Sequence, residues 1–417
     1  MKELFPVFLL ESESAVSLAV HKNRARRDFR SFERCGLLIR ENEEESRSLP
    51  LAAPAAAGKI LPRDFLAGFN RDYRPVSLNP GRLLEENAYL FRWLQQEKWD
   101  DWQVFYKARH NQRQVSCSRG KPVLNRFTHY ILQVQVKRGR QTLAAGEGRT
   151  DGWNFNLSGI INRLSESVSK QRNWIAGKSE TLPVILCAGE GAILFHEILG
   201  HSLEADYVLQ GLSPFSPGDL GKAAMSEKLN VICGDGRDTF FSGVSHDDEG
   251  IKRCPRLLVE QGVLKGFISD CRHARLLGNR FAGHARAEDF QNPPQPRMFE
   301  LFLEPGGNSL DEIIATTRRG ILAREFSSGR VAFKGGRFHF EVREANAVEN
   351  GCIGGPLGSL VIGGAIVDVL RGVEMVGSDF KYDRGLSYCH KNGQVLPIRV
   401  GQPTVKIAAM TVISGEK

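Results

Sequence analysis

Three polar residues lie close together in an otherwise apolar segment of the chain. His196, Glu197 and His201 interrupt a run of Ala, Ile, Leu, Phe and Gly residues that begins at residue 192. Burying such side chains is costly unless they are paired or bound to a metal. Imidazole is a common zinc ligand, and a neighbouring glutamate can act as a general base. We therefore interpret His196 and His201 as candidate zinc ligands and Glu197 as a candidate base; a hydrogen-bonded core cluster is the alternative.

The spacing of the two histidines requires an irregular helix. Histidines at i and i+4 differ by about 40° around a regular helix axis, whereas the i and i+5 spacing of His196 and His201 turns the second side chain by about 140°. Both rings can reach one ion only if the helix widens or ends between them. Gly200 permits such a break. We predict a π-like turn or a helix terminus at Gly200.

A catalytic zinc ion normally takes three protein ligands and leaves a fourth position for water. The sequence must therefore supply one more ligand, and spacing alone does not choose it. The remaining candidates are acidic residues, histidines and one cysteine: Glu204, Asp206, His246, Asp247, Asp248, Glu249, His284, Cys389 and His390.

Composition limits the class of protein. The chain has 417 residues, of which 41% are hydrophobic, and a net charge of +8 distributed among 48 acidic residues. The absence of a basic helix makes a nucleic-acid partner improbable on sequence grounds. No apolar run approaches the roughly 20 residues that span a bilayer, and the first residues do not form a signal-peptide pattern. We expect a soluble cytoplasmic protein, without a membrane partner, whose eight scattered cysteines do not form a disulfide framework.

The hydrophobic pattern predicts an α+β protein with two domains. Helical periodicity covers residues 82–97 and 158–175, and alternation near residues 132–136 indicates a strand. Later residues read mainly as strands and turns, with hairpins at residues 260–262 and 335–336. We predict an N-terminal domain, residues 1–178, that layers helices on an antiparallel sheet. Residues 179–417 form a β-rich, barrel-like domain that carries the metal-site helix.

The segment from Leu194 to Asp206 resembles the zinc-site segment of the TldD/PmbA family, peptidases that are also called modulators of DNA gyrase. Four further motifs resemble the family and occur in its order. They are the Asp-Asp-Glu-Gly stretch at 247–250, the hairpin at 258–266, Pro-Arg-Met at 296–298 and Gly-Gln-Pro-Thr at 401–404. The resemblance extends from about residue 100 to the end of the chain.

This resemblance implies a ligand set and a function. The family's third zinc ligand is a cysteine near the carboxyl terminus, which corresponds to Cys389, with His390 as a competing ligand. Because the chain keeps the two histidines, the glutamate and the cysteine, it resembles the catalytic, TldD-like branch. The resemblance implies zinc-dependent hydrolysis of unstructured peptides, for maturation or degradation. It also implies a homodimer, or a heterodimer with a non-catalytic TldE/PmbA-like paralogue.

Two further residues are candidates for substrate binding. Arg297 would hold a peptide carboxylate or pair with a structural acid. Asp248 would contact substrate or orient a zinc ligand, although a capped turn explains it equally well. The rival function is a non-enzymatic regulator that binds a topoisomerase or nucleic acid and contains structural zinc.

Overall fold

A computed structural model describes most of the chain. The described residues are 7–22, 27–40, 46–51, 75–116, 121–139, 141–169, 179–234, 238–278, 283–358 and 360–414.

The N-terminal part contains an antiparallel six-stranded sheet. Its strands in spatial order are β3 (Ser46–Leu51), β2 (Arg27–Arg40), β1 (Val7–His21), β4 (Asp101–Ser116), β5 (Val123–Arg138) and β6 (Gln141–Arg149). Alternate side chains of β4 are buried from Trp102 to Ala108, as expected for a strand with one covered face. The predicted antiparallel sheet is therefore confirmed, with strands that are longer than the sequence pattern indicated.

Three helices accompany this sheet: α1 (Pro80–Glu86), α2 (Ala88–Gln96) and α3 (Leu157–Ser169). Leu90, Leu94 and Ile160 pack with apolar residues of β4 and β5 in one buried cluster. The predicted helix at 82–97 is two helices, because the chain leaves helical geometry at Asn87. The second predicted helix is α3, and its predicted last turn, with the predicted domain boundary at residue 178, lies outside the described residues.

A closed sheet forms the core of the C-terminal part. Its ring runs through β7 (Ser179–Leu186), β23 (Val405–Ser414), β17 (Leu360–Ala365), β15 (Arg337–Glu349) and β14 (Arg319–Ala332), which returns to β7. β16 (Cys352–Leu357) extends β15, and β18 (Val373–Val376) pairs with β23. The predicted barrel-like character is confirmed, and so is the hairpin between β14 and β15.

A second sheet lies beside the ring. Its strands in spatial order are β10 (Val263–Leu264), β9 (Arg256–Glu260), β8 (Val231–Cys233), β13 (Glu300–Leu303), β22 (Arg399–Gln402) and β19 (Lys381–Tyr382). β9 and β10 form the hairpin predicted at residues 260–262, and its turn consists of residues 261 and 262. Two small pairs complete the strands: β11 (Ala285–Arg286) with β12 (Gln295–Pro296), and β20 (Tyr388–Lys391) with β21 (Gln394–Pro397).

Short helices connect these strands. They are α4 (Ala192–Phe195), α5 (Ala205–Leu209), α6 (Cys271–Leu276), α7 (Leu310–Ala315) and α8 (Ile366–Arg371). The predicted metal-site helix begins with α4. None of the helices in the described part of the chain is both long enough and apolar enough to cross a membrane.

Candidate metal centre

The predicted irregular helix is present. After β7 and a tight turn the chain enters α4 and continues as a π-helical turn over His196–Gly200, then as a short 3₁₀ turn over His201–Leu203. The backbone N–H of His201 donates to the carbonyl of His196, which closes the wide turn between the two histidines. This i to i+5 bond brings His201 back to the side of the helix that carries His196. The prediction of a π-like turn is confirmed.

Gly200 has a different role from the one that its sequence position suggested. Its backbone stays helical, with φ −55° and ψ −56°, so it does not break the helix. A Cβ atom at this position would collide with the Met298 side chain and lie 3.2 Å from Leu301 Cδ2. Glycine is required here because the helix packs without a gap against the neighbouring segment.

The structure brings His196, His201 and Cys389 together. One ligand atom of each residue lies within 4.8 Å of those of the other two, and all three residues are buried. Cys389 Sγ lies 3.2 Å from His201 Nε2. The two imidazole rings are 4.9 Å apart between centroids. Residues separated by 188 positions in the chain therefore converge on one small volume.

The donor set fits a zinc ion. His196 is fully buried, and neither of its ring nitrogens has a hydrogen-bond partner among the described residues. A buried polar group without a partner costs about 1–3 kcal/mol. Two imidazoles and a thiolate at this separation are ligands that zinc accepts in proteins. Coordination of His196 would remove that cost.

Electrostatics favour the thiolate form of Cys389. Burial alone raises the pKa of a thiol, but the adjacent His201 and His196 rings outweigh it and hold the pKa of Cys389 well below its ordinary value. Conversely, burial lowers the pKa of His201, whereas Cys389 and Glu204 together raise it well above its usual value. The thiolate is the form that binds metals.

Glu197 lies on the open side of the metal-site helix. Between residues 191 and 206 only Ile193 and Glu197 are partly exposed, one helical turn apart. Ile193 lines a cleft of about 550 Å³ whose other walls include Gln133 of β5, Gly146 of β6 and Phe326 of β14. Solvent therefore reaches this helix on the face that Ile193 and Glu197 share.

A buried charged cluster lies behind His201. His201 Nδ1 is 2.8 Å from Glu204 Oε2. Lys391 Nζ donates to that same oxygen at 2.8 Å, to Asp206 at 2.8 Å and to the carbonyl of Pro296 at 3.0 Å. Burial would raise the pKa of Glu204, but His201 and Lys391 hold it at about 2. Glu204 and Asp206 thus have partners other than a metal.

Sequence reasoning missed Lys391, since a lysine carries no metal-ligand signal. The available signal was its position two residues after Cys389, because residues i and i+2 of a strand share one face. Both are buried in β20.

The remaining ligand candidates do not join the triad. His390 is exposed, which places it on the face of β20 opposite to Cys389. The His246 ring lies 2.9 Å from Ser245 Oγ. Asp247 accepts hydrogen bonds from the backbone of Glu249 and Ile251, so it caps its own turn. His284 is buried, and burial lowers its pKa to about 3.

Asp248 connects the two halves of the molecule. Its Oδ2 accepts a hydrogen bond from Arg113 of β4 at 2.8 Å and one from the backbone of Ala287 at 2.8 Å. Asp248 also lines a cavity of about 70 Å³ between the N-terminal sheet and the small strand pairs of the C-terminal part. These contacts explain Asp248 as a structural residue; its predicted role in substrate binding stays a prediction.

Arg297 braces the strand that carries Cys389. It is fully buried, and its Nη2 donates to the carbonyl of Cys389 at 2.7 Å. Its Nε and Nη1 have no hydrogen-bond partner in the described part of the chain. The predicted contact of Arg297 with a peptide carboxylate also stays a prediction.

Comparison with known proteins identifies the family. Residues 179–414 match the family model of the PmbA/TldA metallopeptidase C-terminal domain. The chain belongs to the TldD/PmbA family. The matched region contains the whole triad, Glu197 and the ring sheet.

Curated relatives of this family are described as metalloproteases. The chain is 36% identical over 234 residues to "Metalloprotease TldD homolog" of Buchnera aphidicola, a match that covers 56% of this chain and 48% of the relative. It is 30% identical over 260 residues to "Zinc metalloprotease TldD homolog" of Saccharolobus solfataricus, with coverage of 62% and 57%. The chain thus spans about half the length of these TldD/PmbA relatives.

The fold is that of the same family. The structure aligns with the crystal structure of TldE from Thermococcus kodakarensis with a TM-score of 0.72 at 17% identity, covering 98% of this chain and 96% of that one. At this identity the likeness concerns the fold alone. It extends over the N-terminal sheet, where the matched family model does not reach.

Proposed function

We propose that this chain is a zinc-dependent peptidase in which His196, His201 and Cys389 hold the metal and Glu197 is the general base. The observation that carries the proposal is the buried triad, whose ligand atoms lie within 4.8 Å of one another. The relatives described as metalloproteases, one of them as a zinc metalloprotease, support it. The presence of all four residues supports assignment to the catalytic, TldD-like branch.

The triad favours a catalytic over a purely structural zinc site. A structural site is normally closed by four protein ligands, whereas catalytic zinc keeps one position open. Among the described residues the group around Cys389 contains three donors, and His390 points away to solvent. When bound, zinc supplies an activated water molecule and polarises the peptide carbonyl.

We propose that Glu197 moves the proton. It is adjacent to His196 in the chain but, unlike His196, is partly exposed. In the proposed mechanism its carboxylate accepts a proton from the attacking water and returns it to the leaving amine. His196, His201 and Cys389 are buried, which restricts the movement of their side chains during this transfer.

The cleft favours an extended peptide as substrate. β6 is the last strand of its sheet, and Ala144 and Gly146 of β6 line the same cleft as Ile193. Arg163 donates to the Gly146 carbonyl and the Gly148 N–H donates to the Arg384 carbonyl, so a peptide would pair with the part of β6 that precedes Gly146. An extended peptide can pair with the main chain of an edge strand without strong side-chain selection. An unstructured peptide, destined for maturation or degradation, therefore fits this geometry better than a folded protein.

The likeness to TldE supports the proposal that this chain works as a dimer, with itself or with a TldE/PmbA-like paralogue. The oligomeric state can be measured by sedimentation of the chain alone and of the chain mixed with such a paralogue. A complex only in the mixture would establish the heterodimer, and a dimer of the chain alone the homodimer.

Metal analysis of the purified protein tests the proposed function. We expect one zinc per chain in the wild type and hydrolysis of an unstructured peptide that stops when a chelator removes the metal. Cys389→Ala should lose both zinc and activity. Cys352→Ala, a change at an exposed cysteine of β16, is the matched control and should retain both. Full zinc content in Cys389→Ala would refute the proposed ligand set.

A further inference from the structure

The cluster behind His201 links both metal-bearing elements through one carboxylate. Glu204 is fully buried, and its Oε2 lies 2.8 Å from His201 Nδ1 and 2.8 Å from Lys391 Nζ. His201 belongs to the irregular helix, and Lys391 belongs to β20, the strand of Cys389. One oxygen atom therefore touches the helix side chain and the strand side chain at once.

We propose that Glu204 and Lys391 are positioning residues that set the geometry of the metal centre: Glu204 orients the His201 ring, and Lys391 fixes Glu204. The inference rests on the proposed function, because it assigns these residues a role toward the zinc that the triad would hold. It adds two residues that do not touch the metal.

The hydrogen bond to Glu204 selects the tautomer of His201. A carboxylate only accepts, so the Nδ1 atom of His201 must carry the hydrogen. The lone pair of a neutral ring is then on Nε2, the nitrogen that lies 3.2 Å from Cys389 Sγ. A carboxylate on the far nitrogen of a metal-binding histidine fixes the ring and increases its basicity as a ligand. Glu204 would therefore leave Nε2, the ring nitrogen on the side of Cys389, available to bind the metal.

Lys391 keeps this carboxylate charged and in place. A buried carboxylate without a cationic partner is costly, and Lys391 supplies one at the centre of the cluster. The ammonium is itself held by Asp206, by the carbonyl of Pro296 and by the Tyr207 ring, whose centroid is 4.4 Å away. Because Lys391 and Cys389 share one face of β20, a shift of the strand would move the thiolate and the anchor of Glu204 together.

Asp206 offers a matched control for this inference. The Asp206 carboxylate contacts the same ammonium at the same 2.8 Å distance as Glu204. His201 Nδ1, in contrast, bonds to Glu204. If the cluster is only a buried ion pair, loss of either carboxylate should disturb the metal centre equally. If Glu204 orients His201, only its loss should weaken zinc binding strongly.

The test measures the zinc dissociation constant by chelator competition in the wild type, Glu204→Ala and Asp206→Ala, each as full-length protein. Loss of an outer partner of a metal ligand typically weakens metal affinity by about 10–100-fold. We expect a loss of at least tenfold in Glu204→Ala and less than threefold in Asp206→Ala. Cobalt-substituted Glu204→Ala should also show a displaced thiolate-to-cobalt absorption band. Lys391→Met should weaken zinc binding by a factor similar to that of Glu204→Ala.

A loss below tenfold in Glu204→Ala, or an equal loss in Asp206→Ala, overturns the inference. If either alanine variant fails to fold, as judged by thermal unfolding of the metal-free protein, Glu204→Met and Asp206→Leu carry the same comparison with side-chain volume largely preserved and no carboxylate or amide oxygen. A wild type that binds no zinc would refute the proposed function itself. A wild type that binds zinc, with Glu204 variants unchanged, would refute only the role of Glu204.

Discussion

Gly200 and Met298 are in direct contact, and a β-carbon at residue 200 would occupy the space of the Met298 sulfur. Met298 follows Arg297, which donates to the carbonyl of Cys389. One segment therefore packs on the helix of the histidines and hydrogen-bonds to the strand of the cysteine. The distance between the helix that carries His196 and His201 and the strand that carries Cys389 therefore depends on this packing.

Gly200→Ala tests that dependence. Inserting a methyl group into a packed core typically costs about 1–3 kcal/mol. We expect a loss of unfolding free energy in this range, measured by chemical denaturation, together with weaker zinc binding, because the helix must move away from Met298. Gly307→Ala is the control, since a Cβ at that exposed glycine meets no atom within 4 Å. Equal unfolding free energies of the two variants would show that the packing of residue 200 against Met298 leaves room for a methyl group.

Glu197→Gln separates metal binding from catalysis. The amide keeps the size of the side chain but cannot accept the proton of the attacking water. We expect unchanged zinc content and a fall in peptide hydrolysis of about 10²–10⁴-fold, the usual contribution of a general base. Glu260→Gln, at a half-exposed surface glutamate paired with Lys265, should leave both quantities unchanged. Retained hydrolysis in Glu197→Gln would remove Glu197 from the mechanism.

The sequence predicted the residues of the candidate metal centre more completely than the residues that surround it. His196 and His201 share a short segment, and the family resemblance located Cys389 at a distance that spacing could not bridge. Glu204 was recognised only as a rival ligand, because nothing local shows that a lysine 187 residues away binds it. Buried charges also concealed the first strand, because Glu11 and Glu13 are charged residues that pair with Arg113 and Arg109 of β4.

Asp248→Asn distinguishes a structural role from one at the metal. Asp248 bonds to Arg113 of β4 and to the backbone of Ala287, and Arg113 is mostly buried. Removing one charge of a largely buried pair typically costs about 3–5 kcal/mol. We expect Asp248→Asn to lower the unfolding free energy toward that range while zinc content stays at the wild-type level. Loss of zinc from a variant that remains folded would instead place Asp248 in the metal centre.

His129 should make the stability of the protein depend on pH. Burial lowers its pKa to about 4, although the Gly385 carbonyl, 2.8 Å from Nε2, opposes the shift. The unfolded chain, with a histidine pKa near 6.5, binds the proton more readily, so acid favours unfolding between about pH 6.5 and pH 4. For this one group the loss of unfolding free energy between pH 7 and pH 5 is about 2 kcal/mol.

Denaturation of the wild type and His129→Gln at pH 7 and pH 5 measures this contribution. The glutamine cannot take up a proton, so the variant should lose about 2 kcal/mol less than the wild type on acidification. The difference between the two proteins cancels the effect of any metal released from both. His339→Gln, a change at an exposed histidine of β15, should follow the wild type. An identical pH response of His129→Gln and the wild type would show that His129 takes up its proton without unfolding.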